Sequence, residues 1–263
     1  MGVLAAILDA TRERVSKLES DRDRLEARAR VVPEGPPLMD ALMRPEVAVI
    51  AEVKRKSPSK GEIAGSLSAS DQAAAYHRGG AAAISVLTEP TWFSGQPADL
   101  EAARDAVPIP VLKKDFHVDE VQVLEARSLG ASALLFIARA VGPDRLGALV
   151  RSALDWKVEP IVEVRDEVEL ERAIQSGARV IGINNRDLET LEIDPRTAER
   201  LLPLVPWDRV AIAESGMSSR SDVERYARAG ADAVLVGSHV SAAADPSAAV
   251  RALTGVGRRG RDR

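Results

Sequence analysis

Pro160-Ile161-Val162-Glu163-Val164 is a short apolar run interrupted by a single carboxylate. It leads into Asp166–Ser176, where Val168, Leu170, Ala173 and Ile174 recur at helical spacing, then into Gly177-Ala178 and a second apolar run, Val180–Asn184. An apolar run without in–out alternation is what a strand covered on both faces requires. Three- and four-residue apolar steps are those of an amphipathic helix. The stretch therefore predicts strand, helix and parallel strand, with glycine ending the helix in the left-handed conformation.

Working outward, the same unit recurs. Strand-like runs are Val47–Val53, Ala82–Leu87, Pro110–Phe116, Ser132–Ala138, Pro160–Val164, Val180–Asn184, Val210–Ser215 and Ala233–Val236, eight in all. Gly80-Ala81, Gly130-Ala131 and Gly230-Ala231 repeat the punctuation, and Val118–Leu129 repeats the helix. Ser70-Asp71, Asp194-Pro195, Ser221-Asp222 and Asp245-Pro246 supply capping side chains or N1 prolines. Eight such units predict an α/β fold, a (β/α)8 TIM barrel. The competing doubly wound sheet usually carries a glycine-rich loop after its first strand. Here Lys54-Arg55-Lys56-Ser57-Pro58-Ser59-Lys60-Gly61 stands in that place.

The barrel is expected over residues 46–255, with a helical extension over 1–45 and a basic, disordered tail over 256–263. In the extension Leu4, Ile7, Leu8, Val15, Leu18 and Leu25 predict one helix through the first 30 residues, broken by Val32-Pro33-Glu34-Gly35-Pro36-Pro37. The extension is placed as a cover for one end of the barrel.

Composition narrows the function. The 263 residues include 45% hydrophobic and 29% charged side chains and no cysteine, which excludes disulfides, thiol nucleophiles and cysteine-held metals. A net charge of −4 and 3% aromatic residues argue against nucleic-acid binding and against clefts built on stacking. No apolar run approaches the roughly 20 residues needed to span a bilayer. A cytoplasmic protein with no membrane partner is expected. No HxH or HExxH spacing occurs, so no metal site is expected.

Active sites in this fold lie where strands end. Those ends carry Glu52 and Lys54; Lys113, Lys114 and Asp115; Glu163; Asn184, Asn185 and Arg186; Glu214, Ser215 and Gly216; Gly237 and Ser238. One reading makes them ion pairs that satisfy each other around the rim. The other makes them acid–base machinery for an anionic substrate. Alternation does not say which of Lys113 and Lys114 faces inward. Glu214-Ser215-Gly216 and Val236-Gly237-Ser238 sit where loops of this fold bind phosphate. Lys56–Gly61 reads as a mobile basic lid or a solvated turn. Trp92-Phe93 reads as an apolar wall or a core anchor. His117 and His239 are within reach of the mouth, His77 is expected at the surface, and Trp156 and Trp207 are expected to pack away from the mouth.

Ile50-Ala51-Glu52-Val53-Lys54-Arg55-Lys56-Ser57-Pro58-Ser59-Lys60-Gly61 closely resembles the signature of the indole-3-glycerol phosphate synthase family. Ser85–Glu89, Leu112–Phe116, Pro160–Val164, Ile181–Leu188 and Ala213–Gly216 agree in order. The resemblance implies a carboxy-lyase of tryptophan biosynthesis. Its reaction closes the indole ring of 1-(2-carboxyphenylamino)-1-deoxyribulose 5-phosphate, releasing CO2 and water without a cofactor. It also implies roles. Lys114 would protonate the ketose carbonyl. Glu163 would stabilise the cationic intermediate and act in proton transfer, and Glu52 with Lys54 would serve the dehydration. Lys54, Ser57, Gly216, Gly237 and Ser238 would hold the phosphate. Asn184 and Arg186 would position hydroxyls or the carboxylate, and Phe93 and Phe116 would pack on the anthranilate ring with Ser215 nearby. The one partner implied is this phosphorylated small molecule, and a monomer is expected. Trp92-Phe93-Ser94-Gly95, His117 and Ser238-His239 depart from common members of that family. The rim carboxylates alone also suit a glycosidase, the lysines a Schiff-base aldolase, and the phosphate loops a phosphosugar-binding protein without catalysis.

Overall fold

Each apolar run becomes a strand, and the strands close into a parallel ring. In a computed structural model, which describes residues 2–65 and 68–260, they are β1 (Ala48–Val53), β2 (Ala83–Leu87), β3 (Val111–Lys114), β4 (Ala133–Ile137), β5 (Glu159–Val164), β6 (Val180–Asn184), β7 (Val210–Glu214) and β8 (Ala233–Val236). Every strand pairs with its neighbours in chain order, and β1 pairs with both β2 and β8 to close the barrel.

Strand alternation splits the apolar residues into two cores. Ala48, Ile50, Leu112, Leu135, Ile161, Val180, Ile212 and Leu235 fill the barrel interior. Val49, Ala51, Val53, Ile84, Val86, Val162, Ile181 and Val234 face the surrounding helices. The same parity carried toward the strand ends decides the site. Two residues beyond Ile50, Leu112, Ile161 and Ile212 come Glu52, Lys114, Glu163 and Glu214. The polar rim is thus the top layer of the interior stack.

The extension departs from expectation in two ways. The single helix is two, Val3–Glu19 and Arg22–Val31, separated at Ser20-Asp21. The first buries Leu4, Ile7 and Leu8 against the barrel's interior core, while Leu25 of the second packs on Val121 and Leu124 of the Glu120–Ser128 helix. One straight rod does not reach both surfaces. Leu38 and Leu42, just ahead of β1, join the interior core as well. Gly35 passes so close to Ser132, at the start of β4, that a β-carbon would meet its hydroxyl at 2.3 Å. The extension therefore spans the barrel from one end to the other rather than covering one end.

The tail also begins later than expected. Val256 is buried and accepts from the Val47 N–H at 2.8 Å, and the Arg258 guanidinium pairs with Asp232 at 3.1 Å. Arg261 and Arg263 lie outside the described residues. Two caps fall two positions earlier than read, at Ser68 and Ser219, whose hydroxyls accept from the N–H groups of Asp71 and Asp222. Trp156 packs beneath the Arg30 guanidinium, 5.3 Å from the ring, whereas Trp207 is 58% exposed.

The glycine punctuation holds, with φ of 95° at Gly80, 77° at Gly130, 86° at Gly177 and 101° at Gly230. Before β5 the same place is taken by Lys157, an exposed residue at φ 61°. The Val158 N–H closes the helix end onto Ala153 O at 2.9 Å, as the Ala131 N–H closes onto Ala126 O at 3.0 Å. A side chain in this conformation costs about 1–2 kcal/mol, partly offset by the greater chain entropy of glycine. Lys157→Gly is expected to stabilise the fold by about 0.5–1 kcal/mol and raise Tm by roughly 2 °C. A thermal melt with unchanged or lower Tm would count against this account of the helix end.

Candidate active site

The rim is organised around one ammonium group. Lys114, at the end of β3, points inward, with Nζ 3.1 Å from Glu163 Oε2 and 3.2 Å from Glu214 Oε2. Asn184 Nδ2 donates to the other Glu163 oxygen at 3.0 Å. On β1, Glu52 pairs with Lys54 at 2.5 Å and accepts from Ser85 Oγ at 3.2 Å. Two glycines make the crowding possible. A β-carbon on Gly182 would lie 2.1 Å from Glu214 Oε1, and one on Gly237 would lie 2.4 Å from Glu52 Oε1.

Lys113 takes the other face. It is fully buried behind β3, 2.9 Å from Glu125 and 3.2 Å from His117 Nε2. His117 does not reach the mouth. Its Nδ1 faces Leu135 O at 2.7 Å, and burial, reinforced by the Lys113 charge, pushes its pKa down to about 3. The ring is therefore neutral, donates from Nδ1 and accepts from Lys113.

Burial by itself would lower the Lys114 pKa, but the carboxylates of Glu163, Glu214 and Glu52 outweigh it and raise the pKa above the ordinary lysine value. Burial would raise Glu52, yet the charges of Lys54 and Lys114 hold it below the usual carboxylate range. Glu214 goes the other way. Burial is its largest influence, the nearby Glu163 charge adds to it, and its pKa is pushed up to about 8 against the pull of Lys114. Its Oε1 has no hydrogen-bond partner among the described residues. The rim thus holds a fixed cation, an ionised carboxylate at Glu52 and, at Glu214, a carboxyl that holds its proton more tightly than an ordinary glutamate.

Around this floor lies a cavity of about 420 Å3. Every residue to which the family resemblance gives a role lines it: Glu52, Lys54, Ser57, Phe93, Lys114, Phe116, Glu163, Asn184, Arg186, Ser215, Gly216, Gly237 and Ser238. One side is polar backbone. Ser215 and Gly216 are both left-handed, at φ 67° and 85°, and a short helix, Ser238–Ser241, starts directly after Gly237. The segment after β1 is a small hairpin pairing Lys56-Ser57 with Gly61-Glu62, and Ser57 to Lys60 border the cavity. His239 borders it too, whereas His77 is exposed.

The rest of the lining is largely apolar. Phe93 and Phe116 stand 6.2 Å apart, centroid to centroid. Phe93 is presented by a turn that Glu89 pins, its carboxylate accepting from the N–H groups of Thr91, Trp92 and Phe93. Trp92 packs against the interior core, so the two aromatics divide the roles of wall and anchor. Leu188, Leu191 and Ile193 close the wall from the loop after β6, with Val3 and Ile7 from the first helix. Arg186 Nη1 donates to Leu191 O at 2.6 Å and fixes that loop. These apolar residues carry no signal at the level of single residues. Glu214 was visible as a strand-end carboxylate, but its bond to Lys114 rests on the closure of the barrel.

A model of the indole-3-glycerol phosphate synthase family matches residues 4–253. The chain belongs to that family. An indole-3-glycerol phosphate synthase of Rhodococcus opacus is 45% identical over 260 residues, covering 98% of this chain and 96% of the relative. One from Nocardioides sp. is 46% identical over 258 residues, covering 97% and 99%. Among solved structures, thiamine phosphate pyrophosphorylase from Pyrococcus furiosus superposes with a TM-score of 0.59 at 14% identity, covering 79% of this chain and 93% of that one, a likeness of fold alone. Indole-3-glycerol phosphate synthases are carboxy-lyases of tryptophan biosynthesis, and their reaction is a decarboxylating ring closure. No helix among the described residues is long and apolar enough to cross a membrane.

Proposed function

We propose that the cavity closes the indole ring of 1-(2-carboxyphenylamino)-1-deoxyribulose 5-phosphate, and that Lys114 donates the proton that starts the reaction. The observation that carries this reading is the Lys114 ammonium, held between two glutamates in a cavity that is also lined by aromatic and aliphatic side chains. The anthranilate ring packs against Phe93 and Phe116. The phosphate is gripped at Ser57, Gly216, Gly237 and Ser238 with the Lys54 charge nearby. The ketose carbonyl then faces Lys114.

The ring carbon bearing the carboxylate attacks the ketose C2, and the carbonyl oxygen takes a proton from Lys114. This leaves a cationic ring, which the Glu163 carboxylate stabilises at close range. Loss of CO2 returns the C–C bonding electrons to the ring. The new hydroxyl then leaves as water while a base removes a proton from the neighbouring ring carbon. Glu52, ionised beside Lys54, suits the base, and Glu214, whose raised pKa lets it hold a proton more readily than an ordinary glutamate, suits the acid. Asn184 and Arg186 orient the ribulose hydroxyls or the carboxylate, and Ser215 borders the same region.

A Schiff-base mechanism needs a neutral amine. The raised Lys114 pKa disfavours one. A substrate phosphate does not cross a bilayer unaided, which supports action in the cytoplasm. Incubation with the anilino-ribulose phosphate is expected to yield stoichiometric CO2 and indole fluorescence. Tight binding without either product would overturn the reading in favour of a phosphosugar-binding protein.

A further inference from the structure

Asn185 is fully buried and, unlike its neighbour Asn184, does not border the cavity. Strand parity turns it to the outer side of β6, yet it gathers partners from several elements. Its Nδ2 donates to Ser215 O at 3.0 Å and to Tyr226 Oη at 2.9 Å, and its Oδ1 accepts from the Ala198 N–H at 2.9 Å. Its backbone N–H donates to Glu214 O at 3.0 Å, and its carbonyl accepts from the Asp194 N–H at 2.9 Å. A carbonyl can only accept and a backbone N–H can only donate, so these partners allow one orientation of the amide.

The bond to Ser215 matters because of what Ser215 does. It is a non-glycine residue at φ 67°, followed by Gly216 at φ 85°. Left-handed residues other than glycine persist only where the surroundings over-determine them. Ser215 and Gly216 in succession form a tight left-handed turn after β7, and both border the cavity. Tyr226, fully buried on the Arg220–Ala229 helix, sets Asn185 from behind, and its hydroxyl also accepts from Arg225 Nη2 at 3.1 Å.

We propose that Asn185 is a positioning residue for the anion end of the site, holding the Ser215–Gly216 turn in the shape that grips the substrate phosphate. This rests on the phosphate assignment made above. The Asn185 side chain acts on binding and not on the chemistry, since it reaches Ser215 and meets Glu214 only through the backbone N–H, which alanine keeps, while Lys114 and Glu163 are carried by β3 and β5. Tyr226 serves the same turn at one remove.

The test is steady-state kinetics with inorganic phosphate as a competitive inhibitor. In Asn185→Ala the phosphate inhibition constant and the substrate KM are expected to rise together by about tenfold, the worth of one buried hydrogen bond, with kcat within about twofold of the parent. Tyr226→Phe is expected to shift both in the same direction by about threefold. A loss confined to kcat, or an unchanged phosphate inhibition constant in an active variant, overturns the proposal. If Asn185→Ala does not fold, Tyr226→Phe decides by the same criterion. If phosphate fails to compete even with the active parent enzyme, the phosphate assignment itself falls, which separates the two failures.

Discussion

Lys114→Ala is expected to lower kcat by about 10²–10⁴-fold, the usual contribution of a positioned proton donor, while the protein keeps its circular dichroism and still binds substrate. In the ground state the ketose oxygen is a neutral carbonyl. It becomes basic only as the ring carbon attacks, so the ammonium is worth most in the transition state. Removing it should fall on kcat and kcat/KM together, with KM little changed. The surroundings sharpen the argument. Three glutamates keep Lys114 charged, so at working pH it is a donor of protons and of positive potential. Without it, Glu163 and Glu214 lose the cation that lies between them. A variant with near-parental kcat would remove Lys114 from the chemistry and leave the rim as an ion-pair network.

Why Lys114 and not Lys113 was beyond reach of the sequence shows where sequence reading stops. The eight runs, the glycine punctuation and the strand ends could be read because each is local, a property of a few consecutive residues. Alternation along Val111-Leu112-Lys113-Lys114 says that the two lysines point opposite ways, but the phase comes from what packs on each side. Leu112 belongs to the interior core and Val111 to the outer one, and only the closed barrel fixes that. Glu214 was legible as a carboxylate and not as a partner of Lys114, because β3 and β7 lie across the ring from each other. The break at Ser20-Asp21 was hidden for another reason. Neither residue is a strong helix breaker, and the bend is imposed by two separate docking surfaces. His117 was misplaced because a histidine just past a strand end looks available until its two buried partners are seen.

The second large effect is expected on stability and not on turnover. Asp115 is buried immediately after Lys114 and carries much of the contact between the first helix and the barrel. Its oxygens take Arg14 Nη2 at 2.8 Å and Nη1 at 3.1 Å, Thr88 Oγ1 at 2.7 Å, the Phe116 N–H at 2.8 Å and Lys113 Nζ at 3.5 Å. Burial would raise its pKa, but the Lys113 and Arg14 cations with these hydrogen bonds hold it far below the usual carboxylate range. Asp115→Ala leaves Lys113 and Arg14 without their shared anion, and breaking such a buried pair typically costs about 3–5 kcal/mol. For a chain of this size that corresponds to a Tm lower by roughly 10 °C. The pH dependence separates this cause from simple loss of packing. A depressed carboxylate contributes stability above its unfolded pKa of about 4 and loses it as pH falls toward the folded value. The gap between parent and variant should therefore be widest at neutral pH and narrow progressively below about pH 4. A gap independent of pH would mean that cavity formation, and not the charge of Asp115, ties Arg14 and the first helix to the rim beside Phe116.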